Sequence, residues 1–203
     1  MLGELVSIWK KYHLDKLMNG YQVVYDGVLN QNHKIKNILE VGIGTTNPTK
    51  LSNMSYWKCG AGPEYKVGNS LRAWRDYLKE ANVYGIEIDE NVIFNEERID
   101  TFCSDSTNFN KVTKIMEKIG EKMDIIIDDG LHTANSNLAT LDILFPYLEK
   151  GGTYVIEDIN QEDDIYLNDI LNDYRFLKIV TNRDYKIHKG FTDYRTRIIT
   201  IKK

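Results

Sequence analysis

From residue 37 onward, apolar residues gather into short runs closed by Gly, Asp, Glu or Cys: NILEVG at 37–42, NVYGIEI at 82–88, RIDTFC at 98–103, MDIIID at 123–128 and TYVIED at 153–158. Runs of this length, rich in Val, Ile and Tyr, predict β-strands. Between them, SLRAWRDYLKEA, KVTKIMEKIG and ANSNLATLDILFPYLEKGG repeat apolar residues every three or four positions and predict helices. The first 35 residues predict two further helical pieces, marked by Leu2, Leu5, Val6 and Trp9 and then by Val23, Val24 and Val28. A last helix is expected near 161–173, after which YRFLKIVT and TRIITIKK alternate and predict an antiparallel pair joined by the polar NRDYKIHKGFTDYR. Strands alternating with helices predict an α/β protein with a doubly wound, mostly parallel sheet covered by helices on both faces. IIID and YVIE, apolar almost throughout, suit strands buried on both sides. Residues 45–68 hold Pro48, Gly60, Gly62 and Pro63 without a period and predict a long functional loop.

A chain of 203 residues, 42% of them hydrophobic, is enough for one domain spanning 1–203 with a full core. Its net charge of −4 disfavours phosphate polymers, so no nucleic-acid partner is expected. Cys59 and Cys103 lack the spacing of a disulfide framework or a structural zinc site, which predicts reduced thiols. No apolar run approaches the roughly 18 to 20 residues that cross a bilayer. The opening MLGELVSIWKKYH mixes charge with apolar residues, unlike a secretory signal, so a cytoplasmic protein without a membrane partner is expected.

Chemistry concentrates at the predicted strand ends. Glu40-Val41-Gly42-Ile43-Gly44-Thr45 places two glycines where backbone can approach a ligand at the carboxyl edge of the sheet. The third glycine of GxGxxG is absent, and the next acidic strand end, Glu87, lies far beyond the roughly 20-residue spacing of a dinucleotide fingerprint. A dehydrogenase is therefore disfavoured. Glu87 is placed to accept hydrogen bonds from both hydroxyls of a ribose, and Asp105, at the next strand end, to meet a base; an ordinary cap or turn is the alternative for either. Asp128-Asp129-Gly130-Leu131-His132 and Glu157-Asp158 end the fourth and fifth strands. Converging there, Asp129, Glu157 and Asp158 would suit Mg²⁺ better than zinc. Adjacent strand residues face opposite ways, so Glu157 and Asp158 share an ion only if the strand has bent. Helix caps at Asp128, Asp158 and His132 are the alternative. His132 is a candidate base, whereas His13, His33 and His188 lack carboxylate company. Ser70 opens the helix after the loop, where its hydroxyl and the free amides can meet a carboxylate ligand.

These pieces resemble class I S-adenosylmethionine-dependent methyltransferases, and more narrowly the metal-dependent macrocin- and mycinamicin-type sugar O-methyltransferases. The stretches that carry the resemblance are LDKLMNGYQVVYD, ILEVGIG, GNSLRAWRDYL, NVYGIEID, DIIIDDGLHT and LFPYLEKGGTYVIEDI, in order along about 12–159. It implies a Rossmann-like fold with a seven-stranded sheet ending in an antiparallel hairpin. It further implies that Gly42 and Gly44 line the methionine part of S-adenosylmethionine, that Ser70 holds its polar end, and that Glu87 binds ribose with Asp105 near adenine. Glu40 and Asp128 are counted with these cofactor-binding residues. Asp129, Glu157 and Asp158 are implied as Mg²⁺ ligands, with His132 and Asp129 the catalytic pair. The expected reaction is methyl transfer to a hydroxyl of a sugar or other small polar acceptor, under a cover formed by residues 1–35 and the active-site loop 45–68. N-methylation of a small amine and a non-catalytic cofactor-binding module are the rival readings, and the sequence leaves room for a homo-oligomer.

Overall fold

A computed structural model describes residues 2–30, 34–50, 53–54, 65–160, 164–189 and 196–203. Helices α1 (Leu2–Lys11) and α2 (Gln22–Leu29) precede β1 (Asn37–Val41). There follow α3 (Asn69–Tyr77), β2 (Asn82–Glu87), the short β3 (Asn95–Glu96), β4 (Ile99–Cys103), α4 (Phe109–Ile119), β5 (Met123–Asp128) and α5 (Ala134–Leu144). The chain continues through β6 (Leu148–Asn160), α6 (Asp164–Asn172), α7 (Tyr174–Val180), β7 (Tyr185–Lys189) and β8 (Thr196–Lys202).

One eight-stranded sheet runs in the order β3-β4-β2-β1-β5-β6-β8-β7. Strands β4, β2, β1, β5 and β6 are parallel, while β3, β7 and β8 pair antiparallel. The expected doubly wound architecture is therefore present, with the two-residue β3 as an extra strand. Alternate residues of the central strands enter two cores. Leu39, Val41, Ile126, Tyr154 and Ile156 pack with residues of α4, α5, α6 and α7 on one face. Ile38, Ile125, Ile127 and Val155 pack with residues of α1, α2 and α3 on the other. Trp9, Tyr25 and Trp74 meet with ring centroids 5.0–5.6 Å apart and fasten the amino-terminal helices to α3.

The carboxy-terminal pairing differs from the expected one. YRFLKIV forms α7, because Asp173 caps its first turn and the buried Phe176 and Ile179 are three residues apart, a helical spacing that also contains a false alternation. The partner of β8 comes instead from the polar connection, as edge strand β7. Its side chains are largely exposed, which explains why it lacked an apolar signal.

Sheet order reverses at β1, so the carboxyl ends of β1 and β5 flank a crevice, where open α/β sheets bind ligands. The Asp129 amide donates to the Val41 carbonyl at 2.9 Å, and the Gly42 amide donates to that of Ile86 at 2.9 Å. Gly42 has φ +83°, and a Cβ there would lie 2.1 Å from the Asp129 carbonyl oxygen, a backbone atom that cannot turn aside. Gly42→Ala is accordingly expected to cost about 2 kcal/mol or more through positive-φ strain and overpacking. Gly27, exposed within α2 with open space around it, is the contrast. Gly27→Ala should gain about 0.5 to 1 kcal/mol. Urea unfolding of the two variants checks both signs, and equal effects would contradict the close approach at Gly42.

Candidate active site

A cavity of about 830 Å³ opens at this crevice, within the range of small-molecule sites. Gly42, Gly44, Ser70, Glu87, Asp105, Asp129, His132 and Asp158 all line it, as the sequence predicts. Residues 14–16, 18 and 19, between α1 and α2, close one side. Thr49, Lys50, Asn53, Met54 and Tyr65 contribute from the expected loop, whose residues 51–52 and 55–64 lie outside the described ones, as does His33.

Glu87 is buried at the end of β2 and accepts from the Ile43 amide at 3.0 Å and its own neighbour's, Ile88, at 2.9 Å. One carboxylate thus fixes the Gly42–Gly44 turn, and it retains lone pairs for a ligand. Asp105 makes a turn, accepting from the Thr107 amide at 2.9 Å and hydroxyl at 2.7 Å. Tyr65 donates to the Ile43 carbonyl at 2.7 Å and lies over Gly44, a contact that no sequence signal marked.

On the other side of the crevice, Asp129, His132 and Asp158 each offer a ligand atom, all within 4.8 Å of one another. His132 Nε2 stands 3.9 Å from Asp129 Oδ1 and 4.0 Å from Asp158 Oδ2. A small divalent cation takes carboxylate oxygens at about 2.1 Å, and Asp129 and Asp158 are near enough to share one, with the His132 imidazole beside it. The backbone is bent to achieve this. Pairing of β6 with β8 is irregular between Ile156 and Ile159, and Asp158 takes φ +55°, which turns its carboxylate into the cavity. His132 likewise takes φ +50°. Such strain at a shared site is characteristic of functional positions. Helix α5 is capped by Thr133 in a capping box with Ser136, so neither His132 nor Asp128 is needed as its cap.

Three expected ligand contacts are placed differently. Glu40, Asp128 and Glu157 are each 1% exposed and do not line the cavity. Asp128 accepts from Asn137 Nδ2 at 3.0 Å, and burial pushes its pKa up to about 7. Glu40 accepts from the Trp74 indole at 3.0 Å. Glu157 keeps the strand's alternation on the face of Val155 and accepts from Lys16 and the Tyr25 hydroxyl. Period two therefore holds for Glu157 while the irregularity frees Asp158.

Lys16 is the residue that pattern reading passed over. Its ammonium, on a side chain 3% exposed, lies 2.8 Å from Asp129, 3.2 Å from Glu40 and in contact with Glu157. Burial opposes its charge, but attraction from Asp129, Glu157 and Glu40 outweighs this and holds its pKa well above the usual lysine value. Burial raises the pKa of Glu40, Glu157 and Asp158, opposed at all three by Lys16 and reinforced by their mutual repulsion with Asp129. Asp158 is further bound by Tyr21, which also donates to Thr196 or accepts from it at 2.7 Å, and by Asn19 at 3.3 Å. No local signal marked it: its neighbours Asp15 and Leu17 are only half-buried, and its partners lie far along the chain.

No family model matches the chain. Among curated proteins, it is 36% identical over 92 residues to 8-demethyl-8-alpha-L-rhamnosyl tetracenomycin-C 2'-O-methyltransferase of Streptomyces olivaceus, covering 45% of this chain and 24% of that one. It is 29% identical over 151 residues to demethylmacrocin O-methyltransferase of Streptomyces fradiae, covering 74% of this chain and 32% of that one. The chain thus spans about a third or less of these relatives' lengths. Among solved structures, the MycE methyltransferase of the mycinamycin pathway, in complex with Mg, SAH and mycinamycin VI, superposes with a TM-score of 0.69 at 21% identity. That likeness covers 98% of this chain and 54% of the other. The chain is similar in sequence to sugar O-methyltransferases of the macrocin and mycinamicin type, and its fold is the Rossmann-like fold of class I methyltransferases.

Tyr25→Phe removes one of the two donors that satisfy the buried Glu157 carboxylate. A loss of about 1 to 3 kcal/mol in urea unfolding is expected, the cost of stranding a buried acceptor. An unchanged midpoint would show that Glu157 does not depend on Tyr25.

Proposed function

We propose that the chain is an S-adenosylmethionine-dependent methyltransferase that O-methylates a hydroxyl of a sugar or sugar derivative with the help of a divalent cation such as Mg²⁺, acting in the cytoplasm. The observation that carries this reading is the convergence of Asp129, His132 and Asp158 in the same cavity as the Gly42–Gly44 turn and Glu87. The similarity to sugar O-methyltransferases supports it.

In this reading Glu87 accepts from the ribose hydroxyls, the Gly42–Gly44 turn lets the methionine part lie against backbone, Ser70 meets its polar end, and Asp105 lies beside the base. S-adenosylmethionine brings a methyl group already bonded to a positive sulfur, so the protein must position the acceptor and remove its proton. Asp129 and Asp158 would hold the cation, whose chemistry is to orient the acceptor hydroxyl and lower its pKa. Glu157 stands behind Asp129, sharing Lys16 with it. His132 Nε2 takes the hydroxyl proton as the oxygen attacks the methyl in line with the departing sulfur. The segment carrying Asp15, Lys16 and Asn19, with Lys50, Met54 and Tyr65, forms a cover over the cavity that excludes water.

Calorimetry with the demethylated cofactor, followed by turnover of a sugar acceptor with and without chelator, tests the assignment. Glu87→Ala should weaken cofactor binding by about 1 to 3 kcal/mol. His132→Ala should keep cofactor affinity and lower turnover by roughly 10²- to 10⁴-fold. Absence of cofactor binding would overturn the assignment. Full activity in chelator would remove the cation and favour methylation of an amine, with Asp129 and Asp158 gripping a cationic substrate instead.

A further inference from the structure

Lys16 has no part in the chemistry just described, yet it is the cation closest to the proposed metal ligands. It reaches Asp129 Oδ2 at 2.8 Å, while Asp129 Oδ1 faces His132 at 3.9 Å. One carboxylate is therefore shared between an internal ammonium and the cluster facing the cavity. Glu157, the neighbour of Asp158, is held by the same ammonium and by Tyr25. The segment bearing Lys16 also grips Asp158, through Asn19 and Tyr21. Every carboxylate of the cluster is thus bound by residues 16–25.

We infer that Lys16 is a positioning residue that acts as a built-in counter-ion, competing with the divalent cation for Asp129. The inference rests on the proposed metal-assisted reading. Its physical basis is charge: a buried ammonium a few ångströms from the site repels a doubly charged ion strongly in a medium of low dielectric. It also offsets the repulsion among Glu40, Asp129 and Glu157, so the acids can be assembled before any ion arrives. Metal affinity is thereby lowered while the ligand geometry is kept, and the ion remains exchangeable. Metal loading and the grip of residues 16–25 on the acids then oppose each other.

The test is Mn²⁺ affinity, read from the spin-resonance signal of the free ion with the demethylated cofactor saturating, in wild type, Lys16→Met and Lys16→Arg. Lys16→Met should bind Mn²⁺ at least tenfold more tightly, and Lys16→Arg, which keeps the charge, should stay within about threefold of wild type. Weaker or unchanged binding by Lys16→Met would overturn the inference and make Lys16 a structural support for the ligands. Equal tightening in both variants would overturn it too, since packing rather than charge would then be at work. Mn²⁺ binding to none of the three would overturn the metal-assisted reading along with it, whereas binding in the wrong order overturns the inference alone. Should Lys16→Met fail to fold, hydrogen exchange in the wild type decides. The amides of Met18 and Tyr21, bonded to the carbonyls of Asp15 and Lys16, should exchange faster on adding Mg²⁺, and slower exchange would contradict the competition.

Discussion

Glu40, Asp129, Glu157 and Asp158 come from neighbouring strand ends and are brought together at one crevice, the first and third buried behind its wall and the other two facing it, which imposes one electrostatic constraint on everything around them. Two carboxylates about 4 Å apart repel by roughly 4 kcal/mol at an effective dielectric near 20. Such a group either takes up protons or surrounds a cation. The fold supplies one cation itself, Lys16, on a segment that reaches the sheet only because Trp9, Tyr25 and Trp74 pack α1 and α2 against α3. The amino-terminal helices are thus as much a part of the site's electrostatics as of its core.

Chain geometry determines which acids can act. Gly42 lets β1 and β5 close to hydrogen-bond distance at their carboxyl ends, so that Asp129 leaves β5 at the edge of the cavity. The irregularity in β6 then separates two adjacent acids. Glu157 keeps the strand's alternation and turns to Lys16, while Asp158, at positive φ, turns to His132. Glu87 occupies the opposite wall and ties the glycine turn to β2. The glycine turn with Glu87 and the acid cluster with His132 thereby fall on two sides of one crevice.

Much of this was legible in the residue pattern because parallel strands buried on both faces are apolar runs ending in the polar residues that face the crevice. NILEVG, NVYGIEI and MDIIID each match a strand within a residue or two. Short, exposed or irregular features were not legible. Edge strand β7 buries too little to require apolar residues, and α7 imitated a strand because Phe176 and Ile179 sit in a run that also alternates. Side-chain direction at Glu157, and the burial of Glu40 and Asp128 behind the cavity wall, depend on partners distant in sequence. Lys16 was invisible for the same reason: its partners lie 24, 113 and 141 residues away, and nothing local distinguishes it from a surface lysine.

The claim on which the account turns is that these acids form a cation site beside a cofactor pocket. Anomalous diffraction from crystals grown with Mn²⁺ and the demethylated cofactor measures this directly. The account predicts a single strong peak between the Asp129 and Asp158 carboxylates, on the side of the cavity facing His132, with the cofactor ribose on Glu87. Cofactor bound at Glu87 with no anomalous peak among these carboxylates would contradict it.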